Sequence, residues 1–332
     1  MFPAESPADA VGAVAVVSGM WRQPEVRSTI AIPRKRHSLD SGYGVFLLPG
    51  LVMFLLVIIL PFLVTIGVSF TKWNGVTTPK FIGLDNYATA LGDAAFWTSF
   101  ENNILLMLAM VVIPTILGLL LAGLLFSFIA PRFGNRTANF FRAGFYLPQV
   151  MPVAVAGVVW GWILAPDGAF NSFLQAVGLG GIAHDWLGDP GTALLSIMGM
   201  MIWFQVGFPL VIFFTALQRT DPILAEAASL DGASSWQTFI HITLPQIRPE
   251  IFVVVLVTTI ATLKVFGQVF VLTRGGPGTS TLVPSYYVYE NFFQKANVGY
   301  GSAIATIMAT IIIILAAVFI TVQSRRDLTE DF

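Results

Sequence analysis

EAASLDGASSWQTFIHITLP, residues 226–245, is a polar stretch set between two long apolar runs. Just ahead of it, Asp221 is placed to cap a helix and Pro222 suits a first helical turn. A short helix through Glu226, Ala227 and Ala228 follows, and Asp231-Gly232 reads as its end, because glycine tolerates the left-handed conformation that closes a helix. Ser234 and Gln237 have the spacing of a capping box for a second short helix. Pro245 is poorly suited to a helix interior and is expected to end that helix or begin the next element. The segment therefore predicts helix, glycine turn, helix, a shape suited to docking against a partner.

The runs on either side decide the fold class. Six stretches, about 43–70, 103–130, 143–165, 191–217, 250–272 and 301–323, are long and apolar enough to cross a bilayer, which takes roughly 20 residues. The expectation is an all-α, polytopic membrane protein with six transmembrane helices. Composition agrees: 56% of the 332 residues are hydrophobic and 11% are charged, against roughly 25% charged in soluble domains. Mean hydropathy is +0.79. Residues 10–20 are apolar but short, and Glu5 and Asp9 precede them where a signal peptide would carry basic residues. Residues 1–40 read as a largely disordered cytoplasmic tail, or alternatively as a weak interfacial helix. Residues 41–325 form the membrane domain, with a cytoplasmic insert at 219–249, and 326–332 form a C-terminal cytoplasmic tail.

Orientation follows from the basic residues. With the N-terminus inside, Arg22, Arg27, Arg34, Lys35, Arg36, Arg132, Arg136, Arg142, Arg219, Arg248, Arg325 and Arg326 are cytoplasmic. Lys72, Lys80, Arg274 and Lys295 are external, and Lys264 lies within a span. Both termini and the 226–245 segment are thus expected in the cytoplasm.

Several chemistries find no support. The net charge of −1 gives no reason to expect a nucleic-acid partner. The absence of cysteine removes disulfides, thiolate metal sites and a cysteine nucleophile. His37, His184 and His241 fall in different segments, which argues against a metal site. Asp167, Asp185 and Asp189 sit in one external connector, so the paired carboxylates of a glycosidase are not indicated. No catalytic residue is expected, and the chain carries no G-x-x-x-x-G-K-[ST] phosphate loop of its own. No internal repeat points to an inverted-repeat carrier.

Small residues recur at helical spacing, Gly157 and Gly161 in the third run and Gly301, Ala305 and Ala309 in the sixth. Such faces let helices approach closely, within this chain or against another membrane subunit. Trp160 and Trp162 are placed as interface anchors or as lining of a path.

The segment also matches a family pattern. Glu226-Ala227-Ala228, Asp231-Gly232, Ile242 and Leu244-Pro245 resemble the EAA motif of permease subunits of bacterial and archaeal ABC importers, with nine residues between Gly232 and Ile242. FRAGFYLPQVMPVAVAGVVWGWILAPDGAFN at 141–171, Trp186-Leu187 with Asp189-Pro190, Lys264-Val265-Phe266, and LTRGGP at 272–277 are similar to carbohydrate permeases, notably the larger maltose permease subunit. The resemblance covers about 43–325. The chain departs from the pattern soon after Lys-x-Phe, where Gln268 stands and many relatives carry Asp; its 72–101 connector also leaves no room for the large external domain of the enteric maltose subunit.

The resemblance implies a type I ABC importer permease in a bacterial or archaeal inner membrane. A second sugar permease subunit would share the translocation path by alternating access. Separate ATPase subunits would hold ATP and Mg²⁺, and an extracytoplasmic binding protein would deliver a sugar. No cofactor is expected on this chain itself. Glu226, Ala227, Ala228, Asp231, Gly232, Ile242, Leu244 and Pro245 would form the coupling site for the ATPase. An importer for another solute, such as glycerol phosphate esters, and a proton-driven carrier are the alternatives; the latter would need acids within the membrane, and the runs hold none apart from Glu250 at the very edge of the fifth. Sugars need hydrogen-bonding groups and aromatic faces, so Lys264, Gln268, Trp203, Gln205, Tyr286 and Asn291 are the candidates for a substrate path. Lys264 is either structural or substrate-facing, and helical spacing would put Gln268 one turn beyond it on the same face.

Overall fold

The computed structural model describes residues 43–330, and the 1–40 tail expected from the sequence lies outside the described residues. The chain divides into two compact units, Met1–Leu55 and Leu56–Phe332. In the first, the described part is the helix Tyr43–Phe54 and the start of a π-helical turn, Leu55–Ile59.

Among the described residues, four helical runs are long and apolar enough to cross a membrane: Phe46–Ser69, Ala94–Phe133, Ala193–Leu217 and Val298–Thr321. Two further pairs make six if each counts as one span. These are Asn135–Val150 with Val153–Ile163, bent by 95°, and Ser235–Gln246 with Arg248–Leu263, bent by 68°. The third apolar run, 143–165, is therefore not one rod. Met151 is extended and Pro152 follows it, the conformation proline imposes on its predecessor. The fifth run, 250–272, is also interrupted: its helix stops at Leu263 and restarts only at Gly267–Leu272. The last helix runs from Val298 to Glu330.

Burial is uneven, as expected where lipid is the solvent. None of the most apolar stretch of Phe46–Ser69 is buried, against half of that in Ala193–Leu217. Apolar side chains gain nothing by leaving lipid for a neighbouring helix, so contact rests on close packing. Two glycines make this possible. A Cβ on Gly118 would fall 2.6 Å from the Pro209 Cβ, and one on Gly207 would fall 2.4 Å from the Phe145 carbonyl oxygen. The helix Gly207–Leu217 can thereby lie against both Ala94–Leu124 and Asn135–Val150. One core gathers around Leu210, Phe213, Phe214, Leu217 and Val254; the other gathers around Leu106, Ile197, Met200, Val269 and Ile304. The Gly157/Gly161 face packs on Val271 and Leu272 of this same chain.

Among the described residues the one sheet is a two-stranded hairpin, Thr71–Lys72 with Lys80–Phe81, antiparallel with Thr71 opposite Phe81. Asn86 fastens it by donating to the Ser69 and Thr71 carbonyls at 2.8 and 2.9 Å.

Candidate functional site

The 226–245 segment folds as its caps dictate. Pro222–Leu230 is a helix whose N-cap, Asp221, accepts from the Ile223 N–H at 2.9 Å. At the other end the Ala233 N–H reaches the Ala228 carbonyl and the Gly232 N–H reaches that of Ser229, with Gly232 at φ 84°. This double closure is a Schellman motif, which places a residue at positive φ after the cap. The second helix begins at Ser235 with a reciprocal capping box. The Gln237 N–H donates to Ser234 Oγ at 3.3 Å, and the Ser234 N–H donates to Gln237 Oε1 at 2.8 Å. A π-helical turn, Phe239–Thr243, follows, and Pro245 sits in the last short turn, Leu244–Gln246. The helix ends one residue after the proline, and the widened turn before it accommodates a residue that donates no hydrogen bond.

The eight motif residues divide by exposure. Ile242 and Leu244 are half-buried, and Leu244 packs against the core around Leu210 and Phe213. Glu226, Ala227, Asp231 and Gly232 are exposed, as is Pro245, while Ala228 is half-buried. Glu226 forms no ion pair among the described residues. Beside it Leu230 is 90% exposed, Ile223 69% and Trp236 65%. At the base, Arg219 pairs with Glu250 at 2.7 Å and the Asp221 N–H donates to Gln246 Oε1 at 3.0 Å. The segment is a braced, outward-facing element with an apolar rim and a free carboxylate. A cavity of about 850 Å³, bordered by Phe126, Asp221, Ala225, Glu226, Leu230 and Phe239, opens beneath it.

The six path candidates do not stay together. Lys264, Gln268 and Gln205 line one cavity of about 320 Å³, with Met201, Phe204 and Thr258 among its other walls. The helical-face argument for Lys264 and Gln268 fails, because the helix stops between them; the break itself brings both to the cavity. Trp203 instead stands edge-on to Trp160, with ring centroids 5.6 Å apart. Tyr286 is buried among Phe266, Phe270 and Tyr289. Asn291 is buried and donates to the Tyr287 carbonyl at 2.9 Å. None of these three lines the cavity.

Irregular backbone at membrane depth is tolerated where protein satisfies it or where it lines a cavity. Both conditions are met around Lys264. Asn103 donates to the Thr262 carbonyl at 3.3 Å, and the Ser285 hydroxyl donates to that of Val265. Asn102 fixes the next loop through the Thr279 and Leu282 carbonyls, both at 3.0 Å. Gln205 is held by Gln149 at 3.2 Å and reaches Thr258 at 3.5 Å. Sequence reading passed over Asn102, Asn103 and Gln149. The signal available was two adjacent asparagines at the head of an apolar run, where an unsatisfied amide would be costly.

A further cluster went unread. Asp93 caps the helix Ala94–Leu124 by accepting from the Ala95 N–H at 2.9 Å. It also accepts from Tyr300 at 2.7 Å and from the Tyr287 hydroxyl. Burial alone would raise the Asp93 carboxyl, but the two hydroxyls and the N–H groups of Ala95 and Phe96 outweigh it and hold the carboxyl below its usual range. Burial, reinforced by Asp93, pushes the Tyr287 hydroxyl up to about 12.

Comparison with known proteins places this geometry. Residues 123–328 match the family described as binding-protein-dependent transport system inner membrane component. The probable ABC transporter permease protein YurN of Bacillus subtilis is 36% identical over 274 residues, covering 82% of this chain and 92% of that protein. The probable starch degradation products transport system permease protein AmyD of Thermoanaerobacterium thermosulfurigenes is 32% identical over 285 residues, covering 86% and 94%. A chain in the crystal structure of a bacterial ABC transporter involved in import of the acidic polysaccharide alginate superposes with a TM-score of 0.72 at 24% identity, covering 86% of this chain and 96% of that one; this likeness shows the fold.

Proposed function

This chain belongs to the family of binding-protein-dependent transport system inner membrane components, and from that premise we propose that it is a sugar permease subunit driven through the 219–249 insert. Its cargo class rests on the similarity to a permease named for starch degradation products and on the amide-lined cavity at Lys264. Half of the path is supplied by this chain and half by a second permease. Separate ATPase subunits bind ATP and Mg²⁺, and an extracytoplasmic binding protein delivers the sugar. Both termini face the cytoplasm, on the side where Arg132, Arg136, Arg142, Arg219 and Arg248 cluster.

The observation that carries the reading is the insert itself: capped at both helix starts, closed by Gly232, braced at its base, and presenting Glu226, without an ion partner among the described residues, beside exposed Leu230 and Trp236. A short rigid helix seated in a cleft of the ATPase can carry that subunit's movement to the spans as a rigid body. The absence of native cysteine gives a clean background for the test. Ala227→Cys in the assembled importer is expected to cross-link to the ATPase subunit, in a yield that changes with nucleotide. Cross-linking only to the second permease, or none in a fully assembled complex, would contradict the docking role.

A further inference from the structure

The connector between residues 164 and 192 folds back onto the ends of the two helices it joins. A Cβ on Gly168 would fall 2.4 Å from the Trp162 carbonyl oxygen and 2.6 Å from that of Ile163, so the short helix Ala169–Ala176 starts against the last turn of Val153–Ile163. Its other tie is Trp186, whose ring lies 5.1 Å from that of Phe170 and whose indole donates to Asn171 Oδ1 at 2.7 Å. The Trp186 carbonyl in turn accepts from Ser196 at 3.0 Å, in the first turn of the helix Ala193–Gln205. The short helix is thereby held at the level where two apolar, membrane-crossing segments end. Helical periodicity divides it into three sides. Asn171 and Leu174 are buried against the protein, and the Asn171 amide donates to the Pro166 and His184 carbonyls at 3.0 and 2.8 Å. Ser172 and Gln175 form an exposed polar flank. Phe173 and Val177, one turn apart, are 60% and 51% exposed, and Leu179 and Ile182 just beyond them are 52% and 55% exposed. Residues 168–183 carry no ionisable side chain, so no charge stands there to orient a soluble partner.

We propose that Ala169–Ala176 is an interfacial helix, with its Phe173 and Val177 side and the following Leu179 and Ile182 buried at the boundary between the headgroups and acyl chains of the lipid bilayer. Position argues for this occupant as much as composition does. An apolar side held at the end of two spans meets the zone where lipid begins, and a helix with one polar and one apolar flank lies flat there. Trp162, 72% exposed in the last turn of the adjoining helix, is of the residue type enriched at that depth. Ser172 and Gln175 then face water, and Asn171 and Leu174 face protein.

The chain holds no native cysteine, so Phe173→Cys, Val177→Cys and Gln175→Cys each give a single site for an environment-sensitive fluorophore. The labelled chain, assembled with cysteine-free partner subunits in nanodiscs of phosphatidylethanolamine and phosphatidylglycerol, is read against two quenchers: a nitroxide near the top of the lipid acyl chain, and iodide in the buffer. Labels at positions 173 and 177 are expected to show blue-shifted emission, quenching by the lipid nitroxide and protection from iodide. The label at position 175 is expected to show the reverse. Iodide quenching at all three positions would place the helix above the bilayer and overturn the inference. Protection of positions 173 and 177 from both quenchers would overturn it too, as the mark of a surface covered by the second permease. So would protection from iodide that arises only when the binding protein is added. Each of these failures leaves the sugar-permease reading standing, because that reading rests on the insert and the cavity at Lys264.

Discussion

The insert at 226–245 and the cavity at Lys264 are built by opposite routes. The caps and turn of the insert are local: Asp221 caps the residue two along, Ser234 and Gln237 cap one another, and Gly232 closes a helix ten residues long with its cap, while only its base is braced from farther along the chain. The cavity is made by interruption, where a span stops at Leu263 and side chains from Asn103 and Ser285, far along the chain, take up the freed carbonyls. Local construction gives a stiff part that can be pushed. Construction by interruption gives a polar place inside an apolar bundle. A transporter needs both, and the two should fail differently when disturbed.

The sharpest way to break the contrast is at Gly232. Its φ of 84° excludes most side chains, although nothing lies within 4 Å of where a Cβ would go. The cost of substitution is therefore conformational, about 1–2 kcal/mol for an ordinary residue and less for asparagine. Gly232→Val should abolish uptake while the protein still reaches the membrane, and Gly232→Asn should retain most of it. Uptake assays with membrane-fraction blots check this; equal loss in both variants would point to crowding and not to the turn.

At the cavity the expected effect is smaller and kinetic. Gln268→Ala removes one wall amide, and a single hydrogen bond is worth about 0.5–1.5 kcal/mol, or roughly two- to tenfold. The half-saturation concentration for uptake should shift on that scale with assembly intact. Unchanged kinetics and unchanged sugar range would remove Gln268 from the path.

The Asp93 cluster belongs to neither region and offers the mildest comparison. Its carboxyl is depressed in the fold, so the stability it confers is fully present above its unfolded value and is lost as pH falls through the folded one. Native protein and Asp93→Asn should differ in Tm by the equivalent of about 1 kcal/mol at neutral pH and converge in acid. Tyr287 has the opposite sign: held neutral by the fold, it should cost stability as pH climbs from 10.0 toward about 12. A Tm gap that persists unchanged into strong acid would show that shape, and not charge, makes the contact.

What could be read from the sequence follows the same division. Asp221, Gly232 and the Ser234/Gln237 pair announce their geometry because each acts within a few residues of itself. The apolar runs announce membrane crossing by length alone. Their breaks were not legible. Pro152 and Gly267 are signals that a continuous helix often overrides, and what decides is whether a partner such as Asn103 waits to satisfy the opened backbone. Gln268 does not share a helical face with Lys264, yet both line the same cavity. Trp203, Tyr286 and Asn291 have the chemistry of a sugar path, but packing engages them in other contacts.

Glu226→Lys tests most directly the proposal that the insert transmits force from the ATPase. Sugar uptake and ATP hydrolysis stimulated by the loaded binding protein should be measured together on the reconstituted importer. The expected variant is present in the membrane but loses both uptake and stimulated hydrolysis, since a lysine would set a positive charge where a carboxylate without an ion partner among the described residues now stands. Native uptake with native stimulation in that variant would contradict it.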